Sequence, residues 1–286
     1  MNSLKIFLLF FLLAMLFIVV GYALGGQNGM IIAFFLAAVM NFFSYWYSDK
    51  IVLKMYRARK ITATDHPRLH RIVSMVSQKA MIPMPSVYII PTKAPNAFAT
   101  GRNEDHAAVA ATEGLLEILN DAELEGVIGH EIAHVVNRDM LIQTLAATMA
   151  AAIGILASMA RWAAIFGGVS RDNNDRGGGG PFGLIVAMIV APLAAMLIQM
   201  AISRNREYKA DAGGAEITGQ PLALASALEK LHRAPIRMNL DKQPATAHLF
   251  IANPLSGKSF SALFSTHPPV EKRIEKLRQS VMGGYE

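Results

Sequence analysis

Two histidines and a glutamate form the most informative cluster in the sequence, His130-Glu131-Ile132-Ala133-His134. Histidines at positions i and i+4 point the same way from one face of a helix, close enough to bind one metal ion. Glu131 directly follows the first histidine and can reach a water molecule bound to that metal. The neighbouring residues on this face are almost uncharged, so ordinary surface histidines are the weaker interpretation. The motif predicts a metal centre that activates water.

The chain contains no cysteine, which excludes disulfides, thiol nucleophiles, thiolate zinc sites and iron–sulfur clusters. A catalytic zinc ion typically has three protein ligands, so the third must be a further His, Asp or Glu. Glu207 and Asp211 again lie at i and i+4, so one carboxylate could bind metal while the other accepts a hydrogen bond from a ligand histidine. The alternative for Glu207 is a surface ion pair with Arg204 or Lys209, and periodicity alone does not decide between these interpretations.

The segment that carries the two histidines is predicted to be a helix from Asn120 to Val136. Asn120 is a favourable N-cap, and Glu123, three residues further on, is its capping-box partner. Apolar residues recur at helical spacing at Leu124, Val127, Ile128, Ile132, Val135 and Val136. Both histidines are therefore expected on one rigid helix.

Three short segments before this helix have the pattern of strands with turn residues between them: Val87–Ile90, Ala97–Ala99 and Ala107–Thr112. They predict a small antiparallel sheet. An exposed edge near residues 96–100 could bind an extended peptide as an added strand, and a simple connecting loop is the alternative. The candidate substrate-binding residues at this edge are Asn96, Ala97, Phe98 and Ala99.

The composition points to a membrane, because 53% of the residues are hydrophobic and 17% are charged, against about 25% charged in an ordinary soluble domain. The excess is concentrated in four runs, at 4–24, 30–47, 141–160 and 182–202. The first two reach the roughly 20 residues that a spanning helix needs, and a cleaved signal peptide is the alternative for the first. The alanine-rich last two are predicted to form a spanning hairpin, with an interfacial or core-packed hairpin as the alternative.

These runs divide the chain into two transmembrane helices at 1–48, a first part of the domain that carries the two histidines at 49–140, a hairpin at 141–202 and the second part of that domain at 203–286. Basic residues flank the runs at Lys50, Lys54, Arg57, Arg59, Lys60, Arg138, Arg204, Arg206 and Lys209. The positive-inside rule therefore predicts that 49–140 and 203–286 are cytoplasmic. His134 and Glu207 can meet only if the intervening chain crosses the membrane an even number of times. The basic residues next to the apolar runs account for the net charge of +6. No nucleic-acid partner is therefore expected.

The combined motifs resemble the HtpX family of membrane-bound zinc metalloproteases. The resemblance rests on 130–134, on 203–211 (SRNREYKAD), on Pro95-Asn96-Ala97-Phe98-Ala99, on Thr266-His267-Pro268-Pro269 and on the four-run layout. It implies one zinc ion bound by His130, His134 and Glu207, with Glu131 as the catalytic base, in the glutamate-zincin arrangement. It also implies cleavage of damaged or misfolded membrane proteins at the cytoplasmic face of the bacterial inner membrane.

His267 is a further candidate suggested by its motif, as a donor to the transition-state oxyanion. The alternative is that it caps a closing helix from Pro268 to Gln279, because proline is favoured at the first helical position. The part of this helix from Glu271 to Arg278 is predicted to be solvated and amphipathic.

The sequence thus predicts an α-helical membrane protein with a mostly α (α+β), zincin-like cytoplasmic metalloprotease domain that contains a small antiparallel sheet. Its expected partners are the lipid bilayer and membrane-protein substrates. A zinc-retaining membrane adaptor or holdase is one rival, but structural zinc has no use for a base such as Glu131. A prenyl-protein endoprotease is the second rival, and four apolar runs are few for its larger helical chamber.

Overall fold

The computed structural model describes residues 2–145, 204–234, 251 and 268–282. The helices are α1 (Asn2–Met55), α2 (Pro67–Lys79), α3 (Glu113–Ile118), α4 (Asp121–Val136), α5 (Arg204–Thr218), α6 (Pro221–Arg233) and α7 (Val270–Met282). The strands are β1 (Arg59–Lys60), β2 (Ser86–Ile90), β3 (Ala97–Gly101) and β4 (Ala107–Thr112). The described part of the chain is therefore mostly helical, as the sequence predicts.

Helix α1 folds back on itself at Gly26, whose φ of +58° is readily adopted only by glycine. Asn41 Nδ2 donates a hydrogen bond to Phe10 O at 3.2 Å, and the rings of Phe10 and Tyr45 are 6.5 Å apart. In one straight helix, residues this far apart in sequence would be separated by about 50 Å. The two arms of α1 are therefore antiparallel.

The second arm of α1, Gly26–Met55, is 30 residues long, strongly apolar and mostly exposed. By length and composition, it is the one helix of the described residues that could cross a membrane. The division of the chain into two N-terminal spans and a later hairpin stays a prediction. Residues 140–145 are helical, whereas the rest of the two later apolar runs lies outside the described residues.

The sheet is mixed, which corrects the predicted antiparallel sheet. Its strand order is β1-β2-β4-β3, with β2 and β4 parallel and the two outer pairs antiparallel. A short turn joins β3 to β4, so these strands must run in opposite directions, with Ala99 opposite Val109. The chain first crosses from β2 to the far edge, and β4 therefore returns between them, parallel to β2. Strand β3 is left at the edge.

The two faces of the sheet pack against different layers. One face joins the main core formed by α2, α4, α6 and α7, through Val87, Ile89, Ala97, Ala99, Val109 and Ala111. The opposite face packs on the end of α1, where the rings of Tyr56 and Phe98 are 5.4 Å apart. Arg102, just after β3, lies over the ring of Trp46 at 4.4 Å. The edge strand is therefore attached to the long apolar helix.

Candidate active site and metal centre

Helix α4 begins with the predicted capping box. Asn120 Oδ1 accepts a hydrogen bond from the backbone N–H of Glu123, and Glu123 Oε2 accepts one from the backbone N–H of Asn120, both at 2.9 Å. The predicted helix is confirmed, with Asn120 as its cap and Val136 as its last residue. Leu124, Ile128 and Ile132 anchor its other face in the core. The helix is therefore fixed both at its start and along its length.

The side chains of His130 and His134 lie one turn apart on this helix, with ring centroids 4.8 Å apart and ring planes nearly perpendicular. Both residues are buried, at 1% and 4% exposure. Buried imidazoles require partners for their nitrogen atoms. The chemistry of the pair is therefore decided by what faces each of the four ring nitrogens.

Helix α5 brings Glu207 to the histidines by crossing α4 at unusually short range. At the crossing, Gly129 and Gly214 face each other, and a Cβ on Gly214 would lie only 2.6 Å from the backbone nitrogen of His130. Glu207 lies two helical turns before Gly214. Two glycines therefore permit the close approach that places a carboxylate from α5 beside α4.

The carboxylate of Glu207 lies between the Nε2 atoms of His130 and His134. Its Oε2 is 3.8 Å from His130 Nε2, and its Oε1 is 3.6 Å from His134 Nε2. One ligand atom from each of the three residues lies within 4.8 Å of the others. Tetrahedral zinc with bonds of about 2 Å places its ligands roughly 3.3 Å apart, so the three buried donors would hold one such ion after moving together by up to about 1.5 Å.

Asp211 and Arg273 lie behind His130. Asp211 Oδ1 is 2.9 Å from His130 Nδ1, as the helical spacing from Glu207 suggests. Arg273 donates to both carboxylate oxygens of Asp211, from Nε at 2.8 Å and from Nη2 at 2.7 Å. Burial alone would raise the pKa of Asp211, but the charge and hydrogen bonds of Arg273, aided by His130, lower it to about 2. Asp211 is therefore an ionised acceptor that fixes the orientation of the His130 ring.

Arg273 is buried, although the sequence predicts that Glu271–Arg278 forms a solvated amphipathic helix. It is 0% exposed, and its Nη1 also donates to Ile251 O at 2.9 Å. Its position in α7 carried a signal, because Val270, Ile274 and Leu277 place residue 273 on the buried face of the helix. The sequence gives no indication of its partner, since Asp211 lies far away along the chain.

Asp139 is a second carboxylate that the sequence did not indicate. Its Oδ2 lies 3.7 Å from His134 Nδ1, and the residue is 5% exposed. Burial disfavours the charged form of His134, but the nearby carboxylates of Asp139, Glu207 and Glu131 outweigh burial and raise the pKa of His134. At 3.7 Å the two atoms are farther apart than in an ordinary hydrogen bond. Both histidines therefore have a buried aspartate next to Nδ1.

Glu131 connects the metal-binding helix to the sheet. Its Oε2 accepts a hydrogen bond from the backbone N–H of Ala99 at 2.8 Å. Burial raises the pKa of Glu131 above its ordinary value, whereas the charges of His130 and His134 and the bond from Ala99 oppose that rise. A carboxyl group with a raised pKa beside three candidate metal donors is suited to receiving and returning a proton.

The predicted substrate-binding residues lie in or next to the edge strand, and all four residues are buried, backbone included, at 1–2% exposure. Phe98 packs against Tyr56, and Asn96 Oδ1 accepts a hydrogen bond from Ile251 N at 3.1 Å. The backbone N–H of Ala99 points away from β4, and in a strand every second residue does the same, so Ala97 shares that direction. Substrate contact therefore stays a prediction for the backbone of this strand. His267 lies outside the described residues.

This arrangement is typical of zincin-type metalloproteases. One helix carries two histidines, a crossing helix supplies a carboxylate, and a sheet edge lies next to the glutamate between the histidines. Comparison with known proteins agrees with this class. A profile of Peptidase family M48 matches residues 63–281, most of the chain. The chain belongs to this family, within its HtpX group of proteases.

Relatives named Protease HtpX homolog match almost end to end. The protein of Desulforapulum autotrophicum is 56% identical over 283 residues, covering 99% of this chain and 91% of the relative. That of Pyrococcus furiosus is 58% identical over 264 residues, covering 92% and 90%. The crystal structure of S. mikatae Ste24p matches with a TM-score of 0.52 at 15% identity. The match covers 97% of this chain but 63% of that one, and at this identity the similarity supports the fold alone.

Proposed function

We propose that this chain is a membrane-anchored, zinc-dependent endopeptidase that cleaves damaged or misfolded membrane proteins at the cytoplasmic face of the bacterial inner (plasma) membrane. The observation that carries the proposal is the position of Glu131. Its carboxylate lies on the helix that holds two metal donors and also contacts the outer edge of the sheet at Ala99. A proton-transfer group therefore lies between a metal site and a peptide-binding edge.

The metal donors are His130, His134 and Glu207. Two imidazoles and a carboxylate are the donor set of catalytic zinc in proteases such as thermolysin. When bound, zinc supplies Lewis-acid chemistry, polarising the scissile carbonyl and lowering the pKa of water to about 7. Asp211 holds the His130 ring through Nδ1, which leaves Nε2 directed at the site.

Glu131 is the general base of the proposed reaction. With Oε2 engaged by Ala99, we assign Oε1 to the proton taken from the attacking water. The same carboxyl then returns that proton to the leaving nitrogen, so the peptide bond breaks and a free amine forms. A general base of this kind contributes about a hundredfold to ten-thousandfold to the rate.

The substrate would bind as an extra strand beside β3. The N–H and carbonyl of Ala97 and the carbonyl of Ala99 point away from β4, and an extended peptide would pair with these groups, while the N–H of Ala99 is held by Glu131. Recognition through the backbone tolerates many side chains, which suits an enzyme whose substrates share a damaged state and not one sequence. The contacts of Phe98 with Tyr56 and of Arg102 with Trp46 hold this strand next to the apolar arm of α1.

The proposed anchor is the pair of apolar runs at 1–48, together with the hairpin at 141–202. Because basic residues follow the second run, the catalytic segments would lie on the cytoplasmic side. Reporter fusions at Asn28, at Asn173 and at the C-terminus test this topology. Cytoplasmic reporter signals are expected only at the C-terminus, and a cytoplasmic signal at Asn28 or Asn173 contradicts the corresponding crossing.

The central experiment compares Glu131→Gln with the unaltered chain in detergent or vesicles. The variant should retain zinc stoichiometry and fold but lose cleavage of a membrane-anchored test protein whose cytoplasmic domain has been destabilised. Glu125→Gln is the matched control, because Glu125 lies on the same helix but pairs with Lys79 at 2.6 Å. It should cleave normally. Undiminished cleavage by Glu131→Gln would overturn the mechanism.

The proposed selectivity needs a separate comparison. The folded and destabilised forms of one membrane-anchored substrate should differ strongly in cleavage rate, because only the unfolded form offers an extended strand to β3. A prenylated peptide in the same assay tests the endoprotease alternative. Equal cleavage of both protein forms, or preference for the prenylated peptide, would contradict the quality-control role.

A further inference from the structure

The Nδ1 atom of His134 is buried and has no hydrogen-bond partner among the described residues. The equivalent nitrogen of His130 has Asp211 at 2.9 Å. Metal-binding histidines almost always donate this second N–H, because the bond fixes which nitrogen carries the proton and which faces the metal. The site therefore requires an acceptor beside His134 that matches the role of Asp211.

The turn after α4 places Asp139 in that position. The helix ends at Val136, and Arg138 adopts a φ of +56°, which reverses the chain. The backbone N–H of Asp139 then donates to His134 O at 3.0 Å. This bond folds residue 139 back under the histidine, and Asp139 Oδ2 comes to lie 3.7 Å from His134 Nδ1.

A buried arginine lies near Asp139. Arg206, on α5 directly before Glu207, is 8% exposed. Burial lowers the pKa of Arg206, while the charges of Asp139 and Glu207 act in the opposite direction, which locates this cation near both carboxylates. Each aspartate behind a histidine thus has a buried arginine near it, Arg273 for Asp211 and Arg206 for Asp139.

We propose that Asp139 is a positioning residue that accepts the Nδ1–H of His134 in the metal-loaded enzyme. The observed gap is roughly 0.8 Å longer than a charge-assisted hydrogen bond, a distance that side-chain torsion can close. Such bonds are often long in metal-free or substrate-free sites and tighten on loading. The proposal rests on the proposed zinc function, because it assigns a role toward the same ion.

A purely structural role is the alternative. Asp139 precedes the helical segment 140–145, and its carbonyl accepts a hydrogen bond from Gln143 N at 3.3 Å, so it occupies the N-cap position. Serine caps helices as well as aspartate does, but its side chain is too short to reach the histidine. Asparagine keeps both the cap and an acceptor oxygen at the original distance. Asp139→Ser and Asp139→Asn therefore separate the two roles.

The experiment measures the zinc dissociation constant of the full chain in detergent by competition with a chromophoric chelator, and the thermal midpoint of the metal-free protein. Asp139→Ser should bind zinc about 10- to 100-fold more weakly with an unchanged metal-free midpoint, and Asp139→Asn should recover most of the affinity. Glu104→Gln is the control, because Glu104 faces Arg138 of the same turn at 3.7 Å. It should bind zinc normally.

Cobalt substitution gives an independent readout, since the visible absorption of bound Co²⁺ reports the orientation of its ligands. The spectrum should change in Asp139→Ser and not in Glu104→Gln. Zinc affinity and cobalt spectrum like those of the unaltered chain in Asp139→Ser would overturn the proposal. So would equal losses of zinc affinity in the serine and asparagine variants, or a loss that merely follows a lower metal-free midpoint. If the unaltered chain itself binds no zinc, the proposed function fails instead.

Discussion

The backbone N–H of Ala99 donates to Glu131 Oε2 at 2.8 Å, so the edge strand of the sheet holds the carboxylate of the proposed base. This contact joins residues that are distant in sequence but central to the chemistry. It aligns Glu131 before any substrate arrives. A peptide substrate would pair with the same strand edge, so β3 would position both the base and the substrate.

Replacing Ala99 with proline removes this N–H and tests its importance. Proline is tolerated in an edge strand where the N–H points away from its neighbour, so Ala99→Pro should fold and bind zinc. Its catalytic efficiency should fall by about ten- to a hundredfold, because the base loses the bond that positions it. Steady-state kinetics and zinc stoichiometry measure these outcomes.

Thr100→Pro is the contrasting variant, because the N–H of Thr100 faces β4 on the paired side of the strand. It should lose a sheet hydrogen bond and lower the thermal midpoint. If Ala99→Pro keeps full catalytic efficiency, the bond between Ala99 and Glu131 has no role in positioning the base.

The ion pair of Asp211 with Arg273 should make stability depend on pH in the acid range. The pKa of Asp211 falls from an ordinary 3.8 to about 2 in the folded chain, so its contribution is present above pH 4 and is lost as the pH falls towards 2. A shift of this size corresponds to about 2 kcal/mol. In metal-free protein, the difference in free energy of unfolding between the unaltered chain and Asp211→Asn should therefore shrink by that amount from pH 5 to pH 2.

Urea titrations in detergent at a series of pH values give this difference directly, because the other carboxyl groups titrate in both proteins. Asp105→Asn, which removes an exposed carboxylate, is the control and should show no such change. A difference between the unaltered chain and Asp211→Asn that is the same at pH 5 and pH 2 would contradict the lowered pKa.

The cap of α4 should contribute stability without contributing to chemistry. Asn120→Ala removes one side of the capping box and should cost about 1 kcal/mol, because an N–H at the helix start loses its acceptor. Asn120→Asp keeps an acceptor and should preserve stability. Thermal midpoints check both variants, and zinc affinity well below the midpoint should be unchanged in both. A loss of zinc affinity in Asn120→Ala at that temperature would show that the cap also tunes the site.

Local patterns were sufficient to predict the elements that carry the chemistry. The capping box and apolar spacing predicted α4, and β4 begins and ends at the predicted residues. The four-residue spacings placed His130 with His134 and Glu207 with Asp211, and the structure brings these two pairs together. Each of these inferences depends on residues within one or two helical turns.

The sequence was less informative where distant segments meet. Parallel pairing of β2 with β4 depends on the path of the chain between them, which composition does not specify. Arg273 meets Asp211 across two helices, and its burial runs against the usual exposure of arginine. Asp139 depends on a positive φ at Arg138, a conformation that few non-glycine residues adopt. These contacts follow from tertiary packing and have no short-range signature.

The close crossing of α4 and α5 should be the most sensitive point of the metal site outside its ligands. A Cβ on Gly214 would lie 2.6 Å from His130 N and 2.8 Å from Gly129 C, closer than real atoms pack, so Gly214→Ala must push α5 away from α4. Glu207 lies two turns away on the same helix and would move with it. Zinc affinity should fall by roughly ten- to a hundredfold, measured by chelator competition. Gly213→Ala is the matched control, because its Cβ would meet only the Ala133 methyl group at 3.2 Å, and its effect should be much smaller. Equal zinc affinity in the two variants would mean that the helix crossing does not set the position of Glu207.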